Sequence, residues 1–512
     1  MLRVRTSNRR IGLAVAVHFA HTGPMESNSG SRISARTLLS LAGELRDDSA
    51  AYEALAERIR LLIVDGRIPV GTRLPSEREL AVQSGRSRTT IVAAYQSLRD
   101  SGHVLSRQGS GSRVTLPRLG RQDYRPSSEG ESYGVDFARA VPPPVEGLAE
   151  IIADASVSMP LALGAPGFDL LGTLSLRSAI ADRYTSRGLP TTADQIIVTM
   201  GAQHAISLTA HTLLTRSDVV LVESPTYPHA YEAMRRAGAR LIATPVTTSG
   251  WEIEHLIETI ERMRPALAYL IPDFHNPTGA SMQPEDRVRV TEAARAAGTI
   301  LVVDETTADL SIDRPWDDGP FARHARGASP FSGSGVVTVG SLSKAAWAGL
   351  RIGWIRADAA LIRRFVQARP AGDLGTPQIE QLLAERIVRA LPELLPRRRE
   401  QMRVHRDALH EALSLHLPEW HVPLPDGGLS MWVHLAQSAS SAMTSLSEAR
   451  GLALVAGPKF SIDGSLERFL RVPFTAPIAD LEAGTRILAD SWAQLSARDL
   501  RSMADTRLPE MV

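Results

Sequence analysis

Val336-Val-Thr-Val-Gly-Ser-Leu-Ser-Lys-Ala-Ala-Trp-Ala-Gly-Leu-Arg-Ile-Gly-Trp354 opens with an apolar run, breaks at Gly340 and Ser341, and delivers one lysine, Lys344, among small residues. Arg351 follows before a second apolar run. A short apolar run bounded by Gly and Ser reads as a buried strand, so an amine and a guanidinium are held at the mouth of a sheet. An amine there can form an imine with an aldehyde, and a nearby Ser and Arg can bind a phosphate. Alone, Ser-x-x-Lys is most often a surface lysine between two strands.

Working outward, similar apolar runs fall at 196–199, 219–222, 241–244, 267–271 and 300–303, most of them separated by amphipathic helical stretches. This alternation predicts a mainly parallel sheet covered on both faces, with ligands beyond the carboxyl ends of its strands. Those ends carry Gly201-Ala202-Gln203 opening a helix, Tyr227 in Pro-Thr-Tyr-Pro, Asn276 in His-Asn-Pro-Thr-Gly, and Asp304. Each alone is ordinary: a helix start, a loop, a turn, a cap. Together they supply what pyridoxal 5'-phosphate needs. A carboxylate keeps the pyridine nitrogen protonated, an amide binds the ring hydroxyl, a lysine holds the aldehyde, and Ser and Arg neutralise the phosphate. Near the C-terminus, Arg468-Phe-Leu-Arg471-Val-Pro-Phe474 is an apolar strand whose arginine can grip an α-carboxylate through two parallel hydrogen bonds.

This region resembles the fold type I, class I aminotransferases through Ser-Leu-Ser-Lys344 and Gly-Leu-Arg351-Ile-Gly-Trp. The resemblance implies an imine on Lys344 and a pyridine carboxylate at Asp304. It places ring contacts at Tyr227 and Asn276, phosphate contacts at Ala202, Gln203, Ser341 and Arg351, and substrate recognition at Arg471. Two positions depart from the pattern. Thr306 and Thr307 stand where a tyrosine usually touches the ring oxygen, and Phe168 where a tyrosine would reach the partner subunit's cofactor phosphate. Both losses weaken an enzyme more than a binding site.

The N-terminal part reads differently. Leu55, Ile59, Leu62 and Ile63 form one apolar stripe of a helix. Ser76 and Glu79 form a capping box for a second helix, Ser87 caps a third, and Gly102 stops it. Alternating residues from His103 turn at Gln108-Gly109-Ser110-Gly111 and return through Val114. Three helices and a glycine-tipped hairpin predict a winged helix-turn-helix. Ser87, Arg88, Thr89 and Thr90 at the start of the third helix suit phosphates and base edges; Arg78 suits the flanking backbone, and the wing tip Gln108-Gly109 the minor groove. The bland alternatives are simple capping for Ser87 and a glutamate salt bridge for Arg78. The segment resembles the GntR family DNA-binding domain through Leu74-Pro-Ser-Glu-Arg-Glu-Leu-Ala81, Ser87-Arg-Thr-Thr-Ile91 and Ser106-Arg-Gln-Gly-Ser-Gly111. The resemblance implies operator contacts at Arg78, Arg88, Thr89, Thr90 and Gly109; where some members carry a basic residue, Val92 stands here.

The 512 residues therefore divide into a mobile arm (1–47), a winged helix-turn-helix (48–117), a linker (118–145), an α/β aminotransferase-like domain (146–495) and a fraying tail (496–512). The whole resembles the MocR subfamily of GntR regulators, which implies a homodimer. Net charge is +1, so nucleic-acid binding must come from a local patch. The absence of cysteine rules out disulfides and thiolate metal sites and suits the cytoplasm, no metal is expected, and no run approaches the roughly 18 to 20 apolar residues of a membrane span. Residues 1–20 have the charge order of a secretion signal but no small-x-small cleavage site, and Met25 is an alternative start. The expected function is a DNA-binding regulator that senses an amino compound or pyridoxal phosphate. The alternatives are an active aminotransferase with a fused DNA-binding head and a degenerate shell that only dimerises.

Overall fold

A computed structural model describes residues 32–43, 51–64, 67–68, 71–100, 103–107, 111–115, 134–157, 159–162, 166–317, 319–325 and 335–505. The chain forms two compact units, divided after Gly120.

In the first unit, helices α1 (Ala35–Ala42), α2 (Ala51–Val64), α3 (Glu77–Ser84) and α4 (Arg88–Asp100) precede an antiparallel hairpin of strands β1 (Val104–Arg107) and β2 (Gly111–Val114). The capping box at α3 forms as expected: Ser76 Oγ accepts from Glu79 N at 3.2 Å, and Ser76 N donates to Glu79 Oε2 at 2.8 Å. Gly85 ends that helix with a φ of 68°, the left-handed conformation glycine tolerates best. Ile91, Ala94, Tyr95 and Leu98 are the buried face of α4, and the Tyr95 hydroxyl donates to the Pro75 carbonyl, tying α4 to the turn before α3. Helix α1 lies inside what the sequence reads as a mobile arm. Ser34 caps it, and Leu38 and Ala42 enter the same core as Leu55 and Ile59. One apolar face over eight residues is too short a signal to separate from a polar arm.

In the second unit, an eight-stranded sheet runs in the order β3-β10-β9-β8-β7-β4-β5-β6. Its strands are β3 (Ile196–Thr199), β4 (Val219–Ser224), β5 (Arg240–Thr247), β6 (Gly250–Trp251), β7 (Leu267–Leu270), β8 (Ile300–Asp304), β9 (Val336–Ser341) and β10 (Gly353–Arg356). The six expected strands are all present. The apolar run after Arg351 is β10, antiparallel to both β9 and β3, while β5, β4, β7, β8 and β9 run parallel. Leu301 and Val303 of β8 pack into one core and Val302 into the other, which is why the run has no polar alternation. A smaller antiparallel sheet, β11 (Ser430–His434), β13 (Phe469–Pro473) and β12 (Val455–Ala456), packs with the helices Gln378–His416 and Ile478–Asp505 around a third core.

Two expected boundaries shift. The stretch from Gly134 onward, read as the end of the linker, belongs to the second unit: Phe137 is fully buried, its N–H donates to the Ala453 carbonyl, and Val145 N donates to Ala346. Isolated apolar residues carry no period to read, yet Phe137 and Val145 are buried. The last helix runs to Asp505, past the expected domain end at 495. The remaining linker and residues 506–512 lie outside the described residues, as does the stretch before Arg32.

Candidate functional site

The strand ends of the large sheet converge on a cavity of about 420 Å³ whose lining includes Ala202, Gln203, Tyr227, Asn276, Asp304, Ser341, Lys344, Arg351 and Arg471. These are all the residues of the second unit expected to bind the cofactor or its substrate.

Lys344 stands three residues beyond β9. Its ammonium donates to the Ala140 carbonyl at 2.8 Å, and burial, helped by Arg471 and Arg351 and opposed by Asp304, pushes its pKa down to about 8. An amine so poised is a better nucleophile near neutral pH than an exposed lysine. Asp304 ends β8 with its carboxylate buried, accepting from Thr306 N at 2.9 Å and from the Tyr269 hydroxyl at 2.7 Å. Burial raises its pKa against those two hydrogen bonds. Tyr227 precedes the helix Pro228–Arg236, edge-on to His229 with centroids 5.3 Å apart; burial and the charge of Asp304 push its hydroxyl up to about 12.

A helix start, Arg351 and Ser341 also line the cavity, the kinds of group that can bind a phosphate. The helix Ala202–Leu213 begins there behind Gly201, whose φ is 81°. A Cβ on Gly201 would lie 2.9 Å from Arg351 Nη2, and one on Gly353 would lie 2.6 Å from the Gly201 carbonyl carbon. Both glycines let β10, Arg351 and the helix start close together. Arg351 also donates to the Met200 carbonyl at 3.1 Å. Ser341 Oγ accepts from Ser343 N at 3.1 Å and lies 2.9 Å from Ser343 Oγ.

Arg471 on β13 is buried, stacks its guanidinium 5.0 Å from the Phe460 ring centroid and donates through Nη2 to the Ala138 carbonyl. Burial pulls its pKa down to about 10. Arg468, just before this strand, is exposed, so of the two arginines Arg471 is the inward one.

Four buried polar atoms of residues lining the cavity have no partner among the described residues: Asn276 Oδ1, Gln203 Oε1, Thr306 Oγ1 and Arg471 Nε. Orphaned polar atoms inside a protein cost stability unless something fills their bonds. A carboxylate, an amide, an amine and a glycine-framed helix start beside an arginine around one cavity fit pyridoxal phosphate in the chemistry of its functional groups.

Sequence reasoning missed two features. Tyr269, in the middle of β7, supplies the second hydrogen bond to Asp304. Beneath Asn276, a fully buried pair joins His275 Nε2 and Glu223 Oε2 at 3.1 Å; Glu223 also takes the Trp251 indole N–H at 2.8 Å, and His275 Nδ1 meets Thr278 Oγ1 at 2.9 Å. A carboxylate ending an apolar strand was the available signal for Glu223, as it was for Asp304. Thr307 donates to the Asp273 carbonyl at 2.7 Å, and Phe168 is 77% exposed.

In the first unit, Arg78, Arg88 and Thr89 are exposed, and no carboxylate lies within ion-pair distance of either arginine among the described residues. The bland salt bridge for Arg78 is therefore not made. Ser87 Oγ accepts from Thr90 N at 3.1 Å and meets both Thr89 Oγ1 and Thr90 Oγ1, which is the capping role. Val92 is exposed on the same helix. Gln108 and Gly109 lie outside the described residues.

Fold and cavity define a fold type I, pyridoxal-phosphate type of domain behind a winged helix-turn-helix. Comparison with known proteins agrees: the family described as aminotransferase class I and II matches residues 167–486, and the gntR family of bacterial regulatory proteins matches residues 51–114. The chain belongs to the class I and II aminotransferase family, with a GntR-type head, the domain pairing of the MocR subfamily, and this family implies pyridoxal 5'-phosphate as cofactor. It is 24% identical over 481 residues to the uncharacterized HTH-type transcriptional regulator YisV of Bacillus subtilis, covering 88% of this chain and 97% of that one. It is 28% identical over 337 residues to the probable rhizopine catabolism regulatory protein MocR of Rhizobium meliloti, covering 60% and 65%. Among solved structures, the α-aminoadipate aminotransferase LysN of Thermus thermophilus, complexed with N-(5'-phosphopyridoxyl)-L-leucine, superposes with a TM-score of 0.65 at 27% identity, over 71% of this chain and 93% of that one. Among the described residues no helix is long and apolar enough to cross a membrane.

Proposed function

We propose that this protein is a cytoplasmic transcription regulator that binds operator DNA through its head, as a homodimer, and whose large domain holds pyridoxal phosphate and senses an amino compound or the cofactor itself. One observation carries the sensing part. Lys344 and Arg471, the groups suited to an aldehyde and a carboxylate, both donate to backbone carbonyls of one short segment, Ala140 and Ala138. That segment is the first described stretch after the linker.

When bound, pyridoxal phosphate supplies an electron-accepting ring and an aldehyde. Lys344 is the amine that would hold the aldehyde, Asp304 the counter-charge for the ring nitrogen, and Asn276 and Tyr227 the groups beside the ring. Gly201 to Gln203, Ser341 and Arg351 would seat the phosphate. Engaging Lys344 releases the Ala140 carbonyl, and an α-carboxylate on Arg471 releases that of Ala138. A ligand therefore competes with the segment that leads back to the head, and its differential affinity can shift the head between states.

The test follows the visible absorption of the purified chain with pyridoxal phosphate, then with single amino acids, alongside DNA binding. A band that is lost in Lys344→Ala, and a response of DNA affinity to one amine, support the reading. Unchanged DNA regulation in Lys344→Ala sinks it.

The second reading, an active aminotransferase, is favoured by the complete set of Lys344, Asp304, Asn276 and Arg351 around one cavity. In it Lys344 would move the proton at the substrate's α-carbon, with Arg471 orienting the carboxylate. Thr306, Thr307 and Phe168, in place of hydroxyl-bearing tyrosines, weigh against it. Failure to convert any of a broad amino-acid panel over many turnovers would remove this reading.

A further inference from the structure

The first unit carries a second basic feature outside the base-reading helix. Residues 32–36 run beside the turn before α3: Arg32 bridges Arg73 in parallel, Ile33 N donates to the Arg73 carbonyl at 3.1 Å, and Arg73 bridges Arg113 of the wing strand in antiparallel. Three arginines are thus lateral neighbours through isolated backbone bridges. Like charges set opposite one another destabilise strand pairing.

Protein carboxylates offset only part of it. Arg32 pairs with Glu79 at 2.6 Å, and Glu79 also accepts from Ser76 N, so that carboxylate is fully used in a pair and a helix cap. Arg36, Arg73 and Arg78 line the same groove, of about 880 Å³, and are exposed, with no carboxylate within ion-pair distance among the described residues. The groove is walled by α1, by the start of α3, and by Gly111 and Ser112 of the wing. Its floor therefore connects the two elements that flank α4.

We infer that this groove is a binding track for the phosphate backbone of double-stranded DNA, in which Arg36, Arg73 and Arg78 bridge the gap between the recognition helix and the wing. The segment ahead of the winged helix is then a working part of the DNA-binding surface. It packs α1 on the head core through Leu38 and Ala42 and thereby fixes Arg36 in the groove. The occupant is nucleic acid because the groove offers several separated guanidiniums along a trough, with no buried polar group to single out a small anion. This inference rests on the DNA-binding reading above.

The experiment is fluorescence anisotropy of the full chain on a labelled mixed-sequence duplex over a series of salt concentrations. Each phosphate contact contributes about 0.9 to the slope of log affinity against log salt. Arg36→Gln with Arg73→Gln should flatten the slope by about 1.8 in total, to the same extent on every duplex sequence. Arg36→Lys with Arg73→Lys should restore most of it, since a point charge still binds phosphate. Both residues are exposed, and an unchanged far-ultraviolet spectrum and melting curve will show that the head remains folded. If the glutamine variant keeps the wild-type slope while Arg88→Ala weakens binding, the groove is not a DNA track although the head is a DNA binder. If the wild-type chain binds no duplex, both the DNA-binding reading and this inference fall.

Discussion

The head and the large domain both present cations, yet they hold them in opposite ways. In the head, Arg78 and Arg88 stand in solvent without carboxylate partners among the described residues, positioned by caps and turns formed within a few residues of them. In the large domain, Lys344 and Arg471 are removed from water and tied to carbonyls that lie 204 and 333 residues away in sequence. The first arrangement attracts a polyanion over a distance and is screened by salt. The second desolvates its cations, shifts their protonation and selects a small ligand of matching shape. A regulator needs both: a surface that finds DNA by charge and a cavity that recognises one molecule by geometry.

The sharpest break between them is Lys344→Ala. It should abolish the visible absorption of the cofactor complex and leave duplex binding intact; a loss of both would show that the two units cannot be treated apart. Next is Phe137→Ala, which empties a fully buried ring position in the large domain. It should destabilise that domain by about 3–5 kcal/mol while the unfolding of the head stays where it was. Two well-resolved melting transitions, of which only one moves, would bear this out.

A smaller effect compares one arginine from each region. Arg88→Ala should cost about 1–3 kcal/mol of DNA affinity if it reads a base edge. Arg471→Lys should weaken the response to an amino acid by roughly tenfold or more, because a lysine cannot make the paired hydrogen bonds of a guanidinium. The Arg88 loss should come with a salt-steep background and the Arg471 loss should be nearly insensitive to salt; equal salt dependence would erase the distinction drawn here.

The smallest effect is a displaced pH profile. With the Lys344 pKa near 8, the reactive neutral amine grows as pH rises and saturates above that value. The rate of pyridoxal phosphate incorporation should therefore climb up to about pH 8 and level off. A profile still rising at about pH 10, as for an exposed lysine, would place Lys344 in water.

Much of this was legible in the chain. Most of the six strands stood out because they are buried on both faces and so read as unbroken apolar runs; β5 is the exception, with Ala243 exposed. Asp304, Lys344, Asn276 and Tyr227 stood out because each directly follows such a run or a Pro- and Gly-marked turn. The caps at Ser76 and Ser87 were readable because their partners lie three residues on. Local spacing is set by backbone geometry, so it survives in sequence as pattern.

What the tertiary structure alone decided shares one physical cause: the partner is distant or carries no side-chain identity. The carbonyls of Ala138 and Ala140 look like any others in sequence, and only packing of the Phe137 segment sets them against Arg471 and Lys344. Tyr269 reads as one more apolar strand residue until β7 and β8 pair and bring its hydroxyl to Asp304. Helix α1 looked like a polar arm until Leu38 and Ala42 found a core to enter. The sequence by itself determined the two domains, their strand ends and the chemistry gathered there. Only the tertiary structure decided which backbone holds that chemistry in check, because that depends on contacts across hundreds of residues.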